Sequence, residues 1–124
     1  MNLLAVWNRF EKFPGGPVLF SKMLGFKIPY SGSIGARVLL LEKGHSILEM
    51  RDRRRVRNHL NCLHAVALMN LAELTSGLAM VAGLPKSLRA ILTGFQMEFV
   101  KKARGTITAE CRGGVPSEMV KKEY

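Results

Sequence analysis

The sequence predicts an α+β domain in which an antiparallel β-sheet wraps around one long central helix, with a helical extension in front. Residues 63–82 form the longest apolar run of the chain, and Gly83 and Pro85 stop it. Apolar alternation between turn residues marks one hairpin before that run and another after it. A helix that is hydrophobic most of the way round must be covered on several sides, and a sheet does so with few elements.

The elements follow in order. Residues 2–12 carry apolar side chains at helical spacing, with Leu3, Leu4, Trp7 and Phe10 on one side. Pro14-Gly15-Gly16-Pro17 ends this helix, and Val18 to Leu24 forms a short second one. Gly25 to Gly35, with Pro29 and two serines, is a turn-rich connector. Ile34 to Leu41 is apolar and β-branched enough for a strand, and Lys43-Gly44-His45 is its turn. Ser46 to Arg53 returns with Leu48 and Met50 on one face and Ile47, Glu49 and Arg51 on the other. Beyond the long helix, Arg89 to Val100 reads as a strand with Ile91, Thr93, Phe95, Met97 and Phe99 on one face. Lys101 to Gly105 turns, and Thr106 to Arg112 is a further strand. Gly113-Gly114 and Pro116 interrupt before a charged tail. The division is a helical arm over residues 1–32 and the main domain over 33–124.

Composition narrows the function classes. With 124 residues, 48% of them hydrophobic, the chain builds one domain with a real core and is not disordered. Cys62 and Cys111 belong to no motif, so a reduced, cytoplasmic chain is expected and no metal site is. A net charge of +10 points to anionic partners: nucleic acid, anionic lipid or phosphorylated small molecules. Single-strand binding would need aromatics interleaved with the basic residues, and they are missing, as is helix-turn-helix spacing. No apolar run is expected to reach the roughly 20 residues of a membrane span, and Glu11 with the Pro14–Pro17 break excludes a secretory signal. Lys12, Lys22 and Lys27 leave a membrane-surface role open for the arm.

Asn58 and His64 stand just ahead of the long helix, and Glu73 lies partway along it. Ionisable groups are costly to bury on an apolar helix, which marks a candidate site. Taken singly, His64 also fits a helix cap, Glu73 a solvent-facing or arginine-paired position, and Cys62 a small buried filler.

The spacing of these residues resembles the motif of the hotdog-fold acyl-CoA thioesterase superfamily, nearest to its phenylacetate-degradation (PaaI-like) branch and an uncharacterised hotdog family with the same N-terminal helical arm. That motif runs Asn, two residues, Gly, two residues, His-Gly-Gly, four residues, Leu, any residue, Asp or Glu, any residue, Ala. Here Asn58, Asn61, His64, Ala65, Val66, Leu71, Glu73 and Thr75 occupy those positions: Asn58, His64, Leu71 and Glu73 match, and the glycines are replaced. Thr93, Phe99, Lys102-Ala103, Gly105 and Ala109 resemble the family's following strand pair. The resemblance covers residues 33–112 and implies a hotdog fold and thioester hydrolysis, with coenzyme A as part of the substrate and no separate cofactor. It also implies about two strands beyond Arg112, where twelve residues remain, so an incomplete C-terminal sheet is expected.

Thioester hydrolysis needs an attacking water or carboxylate and donors for the developing oxyanion. Glu73 suits the first as general base or nucleophile. The Ala65 amide, at the start of the helix, suits the second, because first-turn N–H groups have no intrahelical partner and the dipole favours negative charge. The resemblance assigns carbonyl or loop contacts to His64 and orientation of the water or thioester to Asn58. Ala65 and Glu73, eight residues apart, are separated by roughly 12 Å along one helix. One thioester cannot reach both in a single chain, so a homodimer or dimer of dimers with antiparallel helices is expected. Arg54, Arg55, Arg57, Lys101, Lys102 and Arg104 are candidates to cradle the phosphates of coenzyme A. A non-catalytic acyl-CoA or lipid-binding protein is the alternative.

Overall fold

The Asn2 side chain accepts from the Ala5 amide at 3.1 Å and so caps α1 (Leu3–Phe10), the first element of a computed structural model that describes residues 2–113. Trp7 is buried from α1 and meets Phe20 of α2 (Gly16–Lys27) edge to face, with ring centroids 5.1 Å apart. Only glycine fits the elbow between them, since a Cβ on Gly16 would lie 1.6 Å from the Phe10 carbonyl oxygen. Pro17 sits in the first turn of α2, where proline's missing N–H costs nothing. The second helix therefore starts earlier than expected and runs on to Lys27. A single turn, α3 (Pro29–Gly32), occupies part of the expected connector.

β1 (Arg37–Glu42), β2 (His45–Met50) and β3 (Ile107–Arg112) form an antiparallel sheet in that order. In β2 the alternation is regular, with Ser46, Leu48 and Met50 buried. In β1 a register irregularity between Val38 and Leu40 shifts the phase, so Val38 and Leu41 both point inward. α4 (Ala65–Gly83) lies across the sheet and buries Ala67, Leu71, Leu74, Thr75, Leu78, Ala79 and Ala82. Two hydrogen bonds tie the β1–β2 hairpin to this helix. The Ser46 hydroxyl donates to the Thr75 carbonyl, and the Gly44 amide donates to the Ala79 carbonyl at 3.1 Å. Trp7, Phe20 and Leu24 of the arm share one apolar cluster with Leu48, Leu71 and Leu74, so α1 and α2 pack into the same core as the sheet.

Residues 89–100, expected as a strand, run without regular structure and leave Ile91, Leu92, Phe95, Phe99 and Val100 exposed. β3, their expected hairpin partner, pairs with β2 instead, placing Ala109 opposite Leu48. Alternation makes a segment able to join a sheet but does not supply a partner, and among the described residues β3 pairs with β2 and not with residues 89–100. Among the described residues the sheet thus has three strands, all of them packed against α4. The expected contribution of the tail, residues 114–124, lies outside the described residues. α4, with 19 residues and mean hydropathy 1.5, is long and apolar enough to span a bilayer by length and composition alone, as core helices also are. Here it serves as the core helix of the sheet.

Candidate functional site

The chain reaches α4 through a closed loop. Arg57 and Leu63 bridge across its neck, the His64 amide donates to the Val56 carbonyl at 2.8 Å, and the Leu63 amide donates to the Ala103 carbonyl at 2.8 Å. Asn61 turns the loop at φ +61°, in the left-handed region that asparagine tolerates better than most residues. Asn58 holds this loop from within: its Oδ1 accepts from the Leu60 amide at 2.9 Å and the Cys62 amide at 3.3 Å. Its Nδ2 lies 3.3 Å from the buried Cys62 sulfur. The side chain expected to orient substrate is thus engaged in the turn that delivers His64.

His64 is the N-cap of α4, and its Nδ1 accepts from the Val66 amide at 3.0 Å. A neutral ring that accepts at Nδ1 carries its proton on Nε2, which leaves Nε2–H as the donor of an exposed side chain. Capping and donation to a ligand are therefore compatible. Ala65, the first helical residue, is exposed, and helix geometry gives its amide no intrahelical acceptor.

Glu73 is half-buried on the wall of a cleft of about 580 Å³ that is mainly apolar, in the middle of the size range of small-molecule sites. Leu74, Met80 and Val81 of α4 line it, with Leu24 and Ile28 of the arm. Ala90–Gly94 complete the lining, and Phe95, Met97 and Phe99 take no part in it. No ion pair to Glu73 forms among the described residues, so an arginine-paired role is not realised. Ala65 and Glu73 stay at separate positions along α4, and the single chain does not bring them together.

The basic run divides in two. Arg54 and Arg55 lie on a 3-10 turn (Arg54–Val56), and both are exposed, as are Lys101, Lys102 and Arg104. Arg57 is committed: its Nε donates to Asp52 Oδ1 at 2.6 Å, while Asp52 Oδ2 accepts from the Gly105 amide at 2.9 Å. The Arg57 hydrogen bond, then that of Gly105, hold the Asp52 carboxyl below the usual carboxylate range. Asp52 thereby fastens the 101–105 segment to the loop ahead of α4. Arg51, Arg53 and Arg55 line a second cleft with Lys22 and Arg37. Their period-two spacing, continuing that of β2, was the signal that they share a side. No group of His, Cys, Asp and Glu is arranged for a metal among the described residues.

Comparison with known structures places this architecture. A structural-genomics crystal structure, APC5556, is 32% identical with TM-score 0.77, over 90% of this chain and 74% of its own. A protein of unknown function from Pseudomonas aeruginosa, PA5026, described as a probable thioesterase, is 27% identical with TM-score 0.68, over 81% of this chain and 66% of its own. No curated protein matches significantly. Fold and cleft thus define a mixed α+β domain of thioesterase-like architecture, consistent with a hotdog fold. Residues 16–123 match the model of DUF4442, a domain of unknown function, and the chain belongs to that family.

Proposed function

We propose that this chain is an acyl-CoA thioesterase of hotdog fold, allied to the PaaI-like branch, working as a homodimer or dimer of dimers in a reducing cytoplasm. The observation that carries this reading is the Glu73 carboxylate, without an ion-pair partner among the described residues, on the wall of a 580 Å³ apolar cleft. Such a cleft suits an acyl chain, and the carboxylate suits the chemistry at its end. The likeness to a probable thioesterase supports the same reaction class.

In this reading Glu73 takes the proton of a water that attacks the thioester carbonyl carbon. The Ala65 amide of the second chain donates to the resulting oxyanion, and His64 Nε2–H is placed to assist. Collapse breaks the C–S bond, the proton passes to the leaving thiolate, and a carboxylic acid and coenzyme A depart. Direct attack by Glu73, through an anhydride that water then cleaves, gives the same products. Arg54, Arg55, Lys101, Lys102 and Arg104 are the cations available to the coenzyme A phosphates, whereas Arg57 is held by Asp52. The face of α4 turned from the sheet exposes Val66, Met69 and Val81, and a second copy of the helix would cover it.

The alternative is a non-catalytic acyl-CoA or lipid binder. It is favoured by Asn58, whose side chain is engaged in its own loop. The test is hydrolysis of a panel of acyl-CoAs by wild type and Glu73→Gln, after light scattering has established the oligomer. Turnover lost in the variant with ligand binding kept supports the enzyme. A well-folded dimer that binds acyl-CoA without turning it over leaves the binder.

A further inference from the structure

The second cleft, between the helical arm and the sheet, has a different character from the one holding Glu73. Its volume is about 320 Å³, and it is lined by Lys22 of α2, Arg37 of β1, and Arg51, Arg53 and Arg55 beyond β2. Glu49 is the one carboxylate in this lining, and it faces Arg37 at 3.8 Å. Among the described residues Arg51, Arg53 and Arg55 have no acidic partner. Gly35 brings two of them together. At φ +63° its backbone passes so close that a Cβ there would lie 2.7 Å from Arg53 Nη1 and 3.3 Å from Arg55 Nη2. The two guanidinium nitrogens are therefore within about 6 Å of each other. Like charges at that separation repel, and an anion carrying more than one oxygen relieves the repulsion by accepting from both.

The floor is apolar, with Val18, Leu24, Ile28 and Leu74. Leu24, Ile28, Ser31 and Leu74 also line the cleft of Glu73, so the two cavities adjoin. We propose that Arg53 and Arg55, supported by Arg51 and Lys22, form a phosphate-binding site for an amphiphilic phosphate ester, whose apolar part lies toward the adjoining cleft. Guanidinium is the group suited to it, because its planar fork matches phosphate oxygens two at a time. The proposal deepens the thioesterase reading, with which it shares Arg55 and the adjoining cleft, but it is tested by binding without turnover, so the failure of either can be told from the failure of the other.

The experiment is calorimetric titration at low salt with inorganic pyrophosphate, then with octyl phosphate. It compares wild type, the double variant Arg53→Gln/Arg55→Gln, and a charge-matched control, Lys12→Gln/Lys86→Gln, whose exposed lysines lie outside both clefts. All the replaced side chains are on the surface, so the variants keep the core intact. Removing one charge-assisted hydrogen bond weakens binding about tenfold or more, so the double variant is expected to fall at least that far. The control should stay within about twofold, as removing diffuse charge alone does little near a screened surface. Octyl phosphate should bind more tightly than pyrophosphate if the tail finds the apolar floor. Equal weakening of both variants would make the effect one of net charge and overturn the site. Absence of pyrophosphate binding by wild type would overturn it as well. Octyl phosphate binding no tighter than pyrophosphate would refute the amphiphile and leave a plain phosphate site.

Discussion

Replacing Ala65 with proline removes one hydrogen-bond donor and leaves the helix in place. Ala65 is the first residue of α4, where an amide has no intrahelical acceptor and proline's fixed φ is already helical. The residue before it, His64, sits at ψ 136°, the extended conformation that a following proline requires. The side chain at 65 is exposed, so the ring meets solvent. Stability should therefore change by no more than about 0.5 kcal/mol in a urea melt. Loss of a single oxyanion donor costs about 10²–10³ in kcat, or roughly 3–4 kcal/mol of transition-state stabilisation. Steady-state hydrolysis of the best acyl-CoA measures this, and the same variant then tests the dimeric site. Mixing Ala65→Pro with Glu73→Gln, each inactive alone, gives heterodimers in which one site has both an intact amide and an intact carboxylate. After random exchange about one quarter of wild-type activity should return, because half the dimers are mixed and half their sites are whole. A folded Ala65→Pro protein as active as wild type would refute the oxyanion assignment, and an inert mixture would refute the assembly across two chains.

Three further outcomes are expected. Leu48→Ala, at a side chain with no solvent exposure, should cost about 2–5 kcal/mol in urea unfolding; a loss below about 1 kcal/mol would mean the sheet does not pack on α4 as described. His64→Ala should lose about 1 kcal/mol of cap stability, and His64→Asn should recover it. If turnover also returns with asparagine, the ring acts only as a cap; if only stability returns, Nε2–H is needed. Asp52 has a folded pKa below its ordinary value, so its staple stabilises the protein fully above the unfolded carboxylate range and fades as pH falls through it. Asp52→Asn should therefore lower Tm at neutral pH, and the gap to wild type should close in acid. A gap that is independent of pH would show that the carboxylate's charge is not what holds Arg57 and Gly105.

How far the sequence could be read depended on whether the deciding interaction was local. α1, the β1–β2 hairpin and α4 follow from periodicity and punctuation over adjacent residues, and they form where expected. Residues 89–100 alternate as a strand should, yet strand formation depends on an edge elsewhere, which local pattern does not encode. The burial of Leu41 beside Val38 reflects a register irregularity that strict alternation hides. Glu73 was legible as an ionisable group on an apolar helix, and the cleft beside it was not, because the arm supplies much of the wall. Arg57 and Arg53 are indistinguishable as arginines in one run. They separate only once Asp52 and Gly35 are placed beside them.

α4 has more apolar surface than one three-stranded sheet can cover, and only 39% of its span is buried. Lipid or protein lying against Val66, Met69 and Val81 would each remove them from water. Glu73 decides between them. It is the ninth residue of nineteen, so a helix crossing a bilayer would hold its carboxylate near the midplane, where ionised groups are strongly disfavoured. Against a second protein surface, the same carboxylate can keep access to water through its cleft, and Asn70 and Ser76 on neighbouring turns meet polar groups more cheaply than hydrocarbon. The residue that makes α4 a poor membrane span is thus the one proposed as the base or nucleophile of thioester hydrolysis. A second copy of α4 running antiparallel would bring the Ala65 end of one helix toward the Glu73 region of the other. Covering the apolar face and completing the site would then be one event.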